Sequence, residues 1–463
     1  MGSATRRRCV AAALLLVGGL LAAACDVGGE QTPQDESSSP PTPRPPRKPA
    51  ERPPAARQPV TLRVFAEPGA VDIHQGVWRF GLEDAFESKH PNIKVEWQPL
   101  PRPPAGKPVD EDFSALLASG DLVDVVQIHT GWTGLAVARG GLLALDRLVA
   151  RDRYDLTDYW PGLLAASRWR GELYALATSA APYPLLCNAM LFAEAGLEVP
   201  RGAWTWAQFL AAARTLATTQ QPRPVYGFAF PFSFHLPLTL PWIWGNGGDM
   251  LSDDLGQSLV DQPAAQEAVQ WLADLVHVHA ATQKADEAAA GGQIRALWQA
   301  GQVAMMHQVW LPAVSLSRSA PQGGIAFAET PRGPVHPASY MIIPSGPWHI
   351  SSASPRTDEA WAFLMWWTSA EAQRAYQAFE ANITTLMPPA RQLVASEFEA
   401  RYGEVTLAAL AHGRPVPLHP AIGPLLEVFQ RGLAPAFAGQ QSVAEATAAV
   451  AQEQDRILAQ GTP

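Results

Sequence analysis

From residue 60 onward, hydrophobic and polar positions fall into short periodic blocks. Val60 to Phe65 is β-rich and ends at the turn Glu67-Pro68-Gly69. Trp78, Leu82, Ala85 and Phe86 recur at helical spacing, and His90-Pro91 ends that helix because the residue before a proline avoids the α region. Ile93, Val95 and Trp97 alternate as a half-buried strand, and Phe113 to Leu117 reads as helix. Leu122 to Ile128 is a continuous apolar run, suited to a strand covered on both faces. Strand, helix, strand, helix, strand predicts a parallel α/β lobe.

A second set of helices follows. Thr205-Trp206-Ala207-Gln208 is a capping box opening a helix whose Phe209, Ala212, Ala213 and Leu216 share a face. Pro263 suits a first helical turn, with Val269, Leu272 and Val276 below it. Another helix runs through Trp361 to Trp367. The last opens at Ser442-Val443-Ala444-Glu445 and turns Val443, Ala446, Val450 and Ile457 inward. No short repeat or heptad run is present, and no segment after the N-terminal region is long and apolar enough to span a bilayer.

The first 59 residues break this pattern. Arg6 to Arg8 precede an apolar run from Val10 to Leu21, then Ala22, Ala23, Ala24 and Cys25, which reads as a signal peptide over 1–24 with Cys25 as lipidated mature N-terminus. Ala22 stands where a lipobox has its leucine. Residues 25–59, with SSSPPTPRPPRKPAERPP, have too little apolar surface to offset ordering entropy and read as an extended stalk. The protein is therefore expected outside the cytoplasm, held to the cell membrane through Cys25.

Charge and cysteine content narrow the class. Net charge is −9, and the first 58 residues hold eight Lys/Arg and five Asp/Glu, leaving the body at about −12. An acidic body of roughly 400 residues argues for two domains and against nucleic acid or anionic lipid as partner. Once Cys9 leaves and Cys25 is modified only Cys187 remains, so no intrachain disulfide is expected. No CxxC, HExxH, EF-hand, P-loop, Rossmann or nucleophile-elbow spacing appears, and neither metal nor cofactor is expected.

What stands out is tryptophan at strand ends and loops: Trp132, Trp242 and Trp244 before Gly245-Asn246-Gly247-Gly248, Trp310 after an apolar VAMM, and Trp348 after Pro344-Ser345-Gly346-Pro347. Rings so placed stack on the apolar faces of sugars, although core packing explains any single one as well. Trp204, Trp206, Trp271, Trp361, Trp366 and Trp367 sit in helix-like contexts and read as packing.

In order along the chain, several segments resemble the extracellular solute-binding proteins of ABC importers, in their sugar-binding, maltose-binding-protein-like branch. They are Asp124-Val125-Val126 with Gly140-Gly141-Leu142-Leu143, Gly171 to Leu176 with Leu186 to Phe192, Trp204 to Phe209, Gly301 to Met306 leading to Trp310, and Ala360 to Leu364. The resemblance covers about Thr61 to Leu458. It implies two α/β lobes, each a mainly parallel sheet flanked by helices, with ligand between them: lobe 1 from 60–178 and 341–386, lobe 2 from 179–340 and 387–463. Crossings are expected near Thr178–Tyr183, Pro337–Met341 and Thr384–Pro389. His129 and Trp132 fall on the first-lobe ligand loop and Trp310 on the second-lobe stacking position. Glu67, Tyr183, Trp244, Asn246, Gly346 and Trp348 fall at strand ends or loops facing the same cleft. Leu425-Leu426 stand where maltose binders carry an aromatic pair, so the solute is expected to differ from maltodextrin.

The function implied is a monomeric, non-enzymatic receptor for a mono- or oligosaccharide, delivering it to ABC permease transmembrane subunits. An anchored glycan-active enzyme, which needs two facing carboxylates, and a receptor for a polyol or sugar phosphate, for which Arg102, Arg295 and Arg332 are available, stay open.

Overall fold

The computed structural model describes residues 58–66, 76, 78–100, 123–218, 224–230, 238–282, 291–307, 324–336, 342–380, 383–384, 386 and 403–460. The signal, the stalk up to residue 57, the Phe113–Leu117 helix, Cys25, Glu67 and Trp310 lie outside them. No helix among the described residues is long and apolar enough to cross a membrane.

In chain order the strands are β1 (Val60–Ala66), β2 (Ile93–Pro99), β3 (Val125–Gln127), β4 (Arg168–Trp169), β5 (Glu172–Leu173), β6 (Leu176–Pro182), β7 (Leu185–Asn188), β8 (Met305–His307), β9 (Ile325–Ala328), β10 (Ile342–Ile350) and β11 (Ile383–Thr384). They form a six-stranded sheet ordered β11-β6-β10-β3-β1-β2, a three-stranded sheet ordered β8-β7-β9, and the hairpin β4-β5. β1 pairs in parallel with β2 and β3, as the periodicity predicts. β10 runs against both β3 and β6, and β11 against β6, so the larger sheet is mixed. β7 is antiparallel to β8 and β9, and Ala229 bridges Met306 in the parallel sense. In the larger sheet β1, β2, β3 and β6 run one way, as expected, with β10 and β11 against them, whereas the named strands of the small sheet pair antiparallel. β10 joins the larger sheet running the opposite way to the strands that the βαβ pattern accounts for.

Each sheet has its own core. Against the six-stranded sheet, Trp78 and Leu82 on a π-turn (Trp78–Leu82) and Phe86 on the helix Glu83–Lys89 are buried, at the spacing read from the sequence. His90 caps that helix. The helix Thr357–Trp367 adds Trp361, Phe363, Leu364 and Trp367. Aromatic rings pack closely here, Trp78 and Trp97 edge to face at 6.0 Å and Trp97 and Trp367 tilted at 5.3 Å between centroids. Asp124, fully buried beside β3, accepts hydrogen bonds from the Arg63 amide at 2.9 Å, the Ser354 hydroxyl at 2.6 Å and the Arg356 guanidinium at 3.1 Å.

The second core lies on the three-stranded sheet. Both predicted capping boxes are formed: Thr205 with Gln208 opens the helix Trp206–Leu216, and Ser442 with Glu445 opens Val443–Ala459. Between them, Pro263 begins the helix Pro263–His277, and Trp271 on it stacks on Trp206 at 4.6 Å and Trp242 at 4.9 Å. Cys187, fully buried in β7, is a packing residue whose thiol is pushed far toward the neutral form by desolvation.

Candidate functional site

The sheets define where a solute can be held. β1 and β3 run in parallel and end at Ala66 and Gln127 on one edge of the larger sheet. β6 has the same direction, since both it and β3 run against β10, and it continues to Pro182 before the chain changes sheets across Tyr183-Pro184 into β7. β8 and β9 run against β7 and end opposite Leu185, at His307 and Ala328. The carboxyl ends of both sheets therefore face the same crossing from either side. In open α/β sheets, ligands bind outside such ends.

On the first side, β3 leads through Ile128 and His129 into the helix Thr130–Ala138. His129 caps this helix, its Nδ1 accepting from the Gly131 amide at 3.2 Å, and its ring is exposed. Trp132, one turn into the helix, lies 6.0 Å from His129 and is half-buried on a small cluster with Phe65, Val126, Ile128 and Trp169. These two predicted residues are brought together, the imidazole exposed and the indole half-buried. The same helix rests backbone to backbone on the segment leading into Ile422–Phe437: a Cβ on Gly134 would lie 2.5 Å from the His419 carbonyl oxygen.

On the second side the sequence missed His307. It ends β8 and is buried between rings, 5.9 Å from Phe228 and 6.0 Å from Trp242. Burial pulls its pKa down to about 4, opposed by the nearby Tyr183 and Pro184 carbonyls, so the ring is neutral near pH 7. A histidine closing an apolar strand was the only available signal. Tyr183, on the crossing itself, is buried, and desolvation raises its phenol pKa.

Three expected site residues prove to be packed or engaged elsewhere. Trp348 lies inside β10 with 0 % exposure, its indole N–H 3.4 Å from the Thr178 hydroxyl. Trp244 is on the helix Leu240–Gly245, buried, donating to Asp249 at 2.9 Å, with the Arg414 guanidinium 4.8 Å over its ring. Asn246 caps the end of that helix and donates to the Ala264 carbonyl at 2.8 Å and Glu267 at 3.1 Å. Their reading as open loop tips is corrected, because tertiary pairing covers the faces that look free in the sequence. Gly346 has φ +62°, and a Cβ there would fall 2.5 Å from the Gln127 amide nitrogen, so its glycine is explained by the backbone.

A groove of about 720 Å³ lies between the β4-β5 hairpin and the C-terminal segments, lined by Trp169, Arg170, Asp254, Arg414, His419 and Leu458. None of the predicted ligand residues lines it. Among the described residues, no group of three or more His, Cys, Asp and Glu is placed to hold a metal ion.

Residues 73–374 match the family model described as bacterial extracellular solute-binding protein. The chain belongs to this family. A curated relative, the probable ABC transporter-binding protein of Deinococcus radiodurans, is 27% identical over 305 residues, covering 62% of this chain and 69% of the relative. The sugar-binding protein MalE from Xanthomonas citri is similar in structure with a TM-score of 0.74 at 18% identity, covering 87% of this chain and 98% of MalE. An ABC substrate-binding protein from Listeria monocytogenes, in complex with cycloalternan, reaches 0.69 at 18% identity, covering 87% and 99%. These likenesses establish the two-lobed α/β fold of extracellular solute-binding proteins.

Proposed function

We propose that this solute-binding protein is the membrane-tethered receptor of an ABC import system, a monomer that holds a mono- or oligosaccharide between its lobes and binds it without turnover. The observation that carries the reading is the meeting of both sheets' carboxyl ends at Tyr183-Pro184, with His129 and Trp132 accessible on one side. The ABC designation of the relative and the sugar-binding description of MalE support the transport role and the solute class. Lobe 1 comprises 60–178 and 341–386 and lobe 2 comprises 179–340 and 387–463, with β6 carrying the first crossing on to Tyr183-Pro184. A solute touching both favours the closed arrangement by its differential affinity for it.

The test is a thermal-shift panel of monosaccharides, oligosaccharides, polyols and sugar phosphates, with closure by the best binder read from small-angle scattering. A panel that leaves the melting temperature unmoved rejects the sugar assignment, and turnover of a chromogenic glycoside would replace it with an enzyme. Trp132→Ala is expected to weaken binding of the best panel compound about tenfold, the size of one lost ring contact, with a smaller loss of stability. Equal affinity in the variant would remove Trp132 from the site. For the tether, labelled-lipid incorporation into the full chain is expected to disappear on Cys25→Ala, and persistence of the label would refute lipidation at that residue.

A further inference from the structure

His307 has a feature that packing alone does not account for. Both ring nitrogens are buried and neither makes a hydrogen bond of good geometry, the Tyr183 and Pro184 carbonyls lying near enough to act on its proton without satisfying it. Buried polar groups are nearly always satisfied, and an unsatisfied one lowers stability without return unless something else engages it. The register gives the location. His307 pairs with Leu185, which also pairs with Ala328, so the three side chains share one face of the sheet. That face is otherwise apolar around the imidazole, with Phe228 and Trp242 set edge-on to it at 84° and 81°. His307 is the last residue of β8, at the sheet end that meets the crossing between lobes.

We infer that His307 hydrogen-bonds a hydroxyl group of the bound solute from the second lobe, which makes that end of the solute an uncharged polyhydroxy group. This deepens the receptor reading and rests on it. A neutral imidazole carries one N–H donor and one lone-pair acceptor, and a hydroxyl offers the complementary pair. A phosphate or carboxylate is better met by guanidinium or ammonium donors. Among the described residues, the groups that act on its proton are the two carbonyls rather than a Lys or Arg. The Phe228 and Trp242 surroundings exclude water and strengthen any hydrogen bond the solute completes.

The experiment uses the intact folded chain and two variants, His307→Leu, which removes both nitrogens at similar volume, and His307→Asn, which keeps a donor and an acceptor. Without solute, His307→Leu is expected to melt at or above the wild-type temperature, because it removes an uncompensated polar group. With the neutral sugar that shifts the wild type most in the panel, its affinity is expected to fall at least about tenfold, and His307→Asn to recover part of the loss. A His307→Leu protein that melts well below the wild type before solute is added makes the imidazole a structural residue and overturns the inference. Wild-type affinity in His307→Leu, or strongest wild-type binding to a sugar phosphate lost equally in both variants, also overturns it. A wild type that binds no compound in the panel brings down the receptor reading itself, a result distinct from loss of the His307 role alone.

Discussion

Trp348→Ala is expected to destabilise the first lobe by about 3–5 kcal/mol, the range for truncating a fully buried large aromatic. The ring has no exposed face and sits edge to face with Trp97 at 5.8 Å, Trp367 at 5.9 Å and Phe363 at 6.3 Å. Its strand pairs on both sides, with Leu176 in β6 and Gln127 in β3. The collapse that could fill the resulting cavity is therefore opposed by two ladders, and little of the lost packing is recovered. Denaturant unfolding followed by tryptophan fluorescence reads the effect as a lower midpoint. A stacking residue would behave in the opposite way, losing affinity while stability held. Near-native stability with lost solute binding in Trp348→Ala would return this ring to the cleft.

Asp124→Ala is expected to cost about 3 kcal/mol or more, because removing a buried carboxylate strands the groups that it satisfies. Those groups come from three parts of the lobe: the Arg63 amide in β1, the Ser354 hydroxyl, and the Arg356 guanidinium at the start of the helix Thr357–Trp367. Arg356 is partly exposed and can regain water, whereas the Ser354 hydroxyl is buried and cannot. The comparison is Arg431→Ala, which breaks the exposed pair with Glu427 on the helix Ile422–Phe437 and is expected to change the midpoint little. Equal effects from the two substitutions, measured in the same unfolding experiment, would show that the Asp124 network does not hold the lobe together.

Much of the scaffold was legible in the sequence because its signals are local. Trp78, Leu82 and Phe86 lie on one helical face, and that face is buried. The Thr205 and Ser442 boxes satisfy backbone amides within three residues, so no distant partner is needed to read them. His129 and Trp132 were legible for a similar reason: a strand end followed at once by a helix start keeps both near one sheet edge. Strand direction was not, since β10 finds its place by pairing with β3 and β6 and β11 by pairing with β6, more than 150 residues earlier in the chain.

By itself, the sequence determined the succession of strands and capped helices, the acidic body behind a signal-like and proline-rich N-terminus, and the family. Only the tertiary structure decided which rings are core and which are accessible. Trp132 and Trp348 both follow strand or loop signals, yet one is half-buried and the other is enclosed by three aromatic neighbours. The isolation of His307 is likewise a property of Phe228, Trp242 and Leu185 meeting around it. Burial depends on what packs against a face, and those partners arrive from distant parts of the chain that local periodicity does not encode.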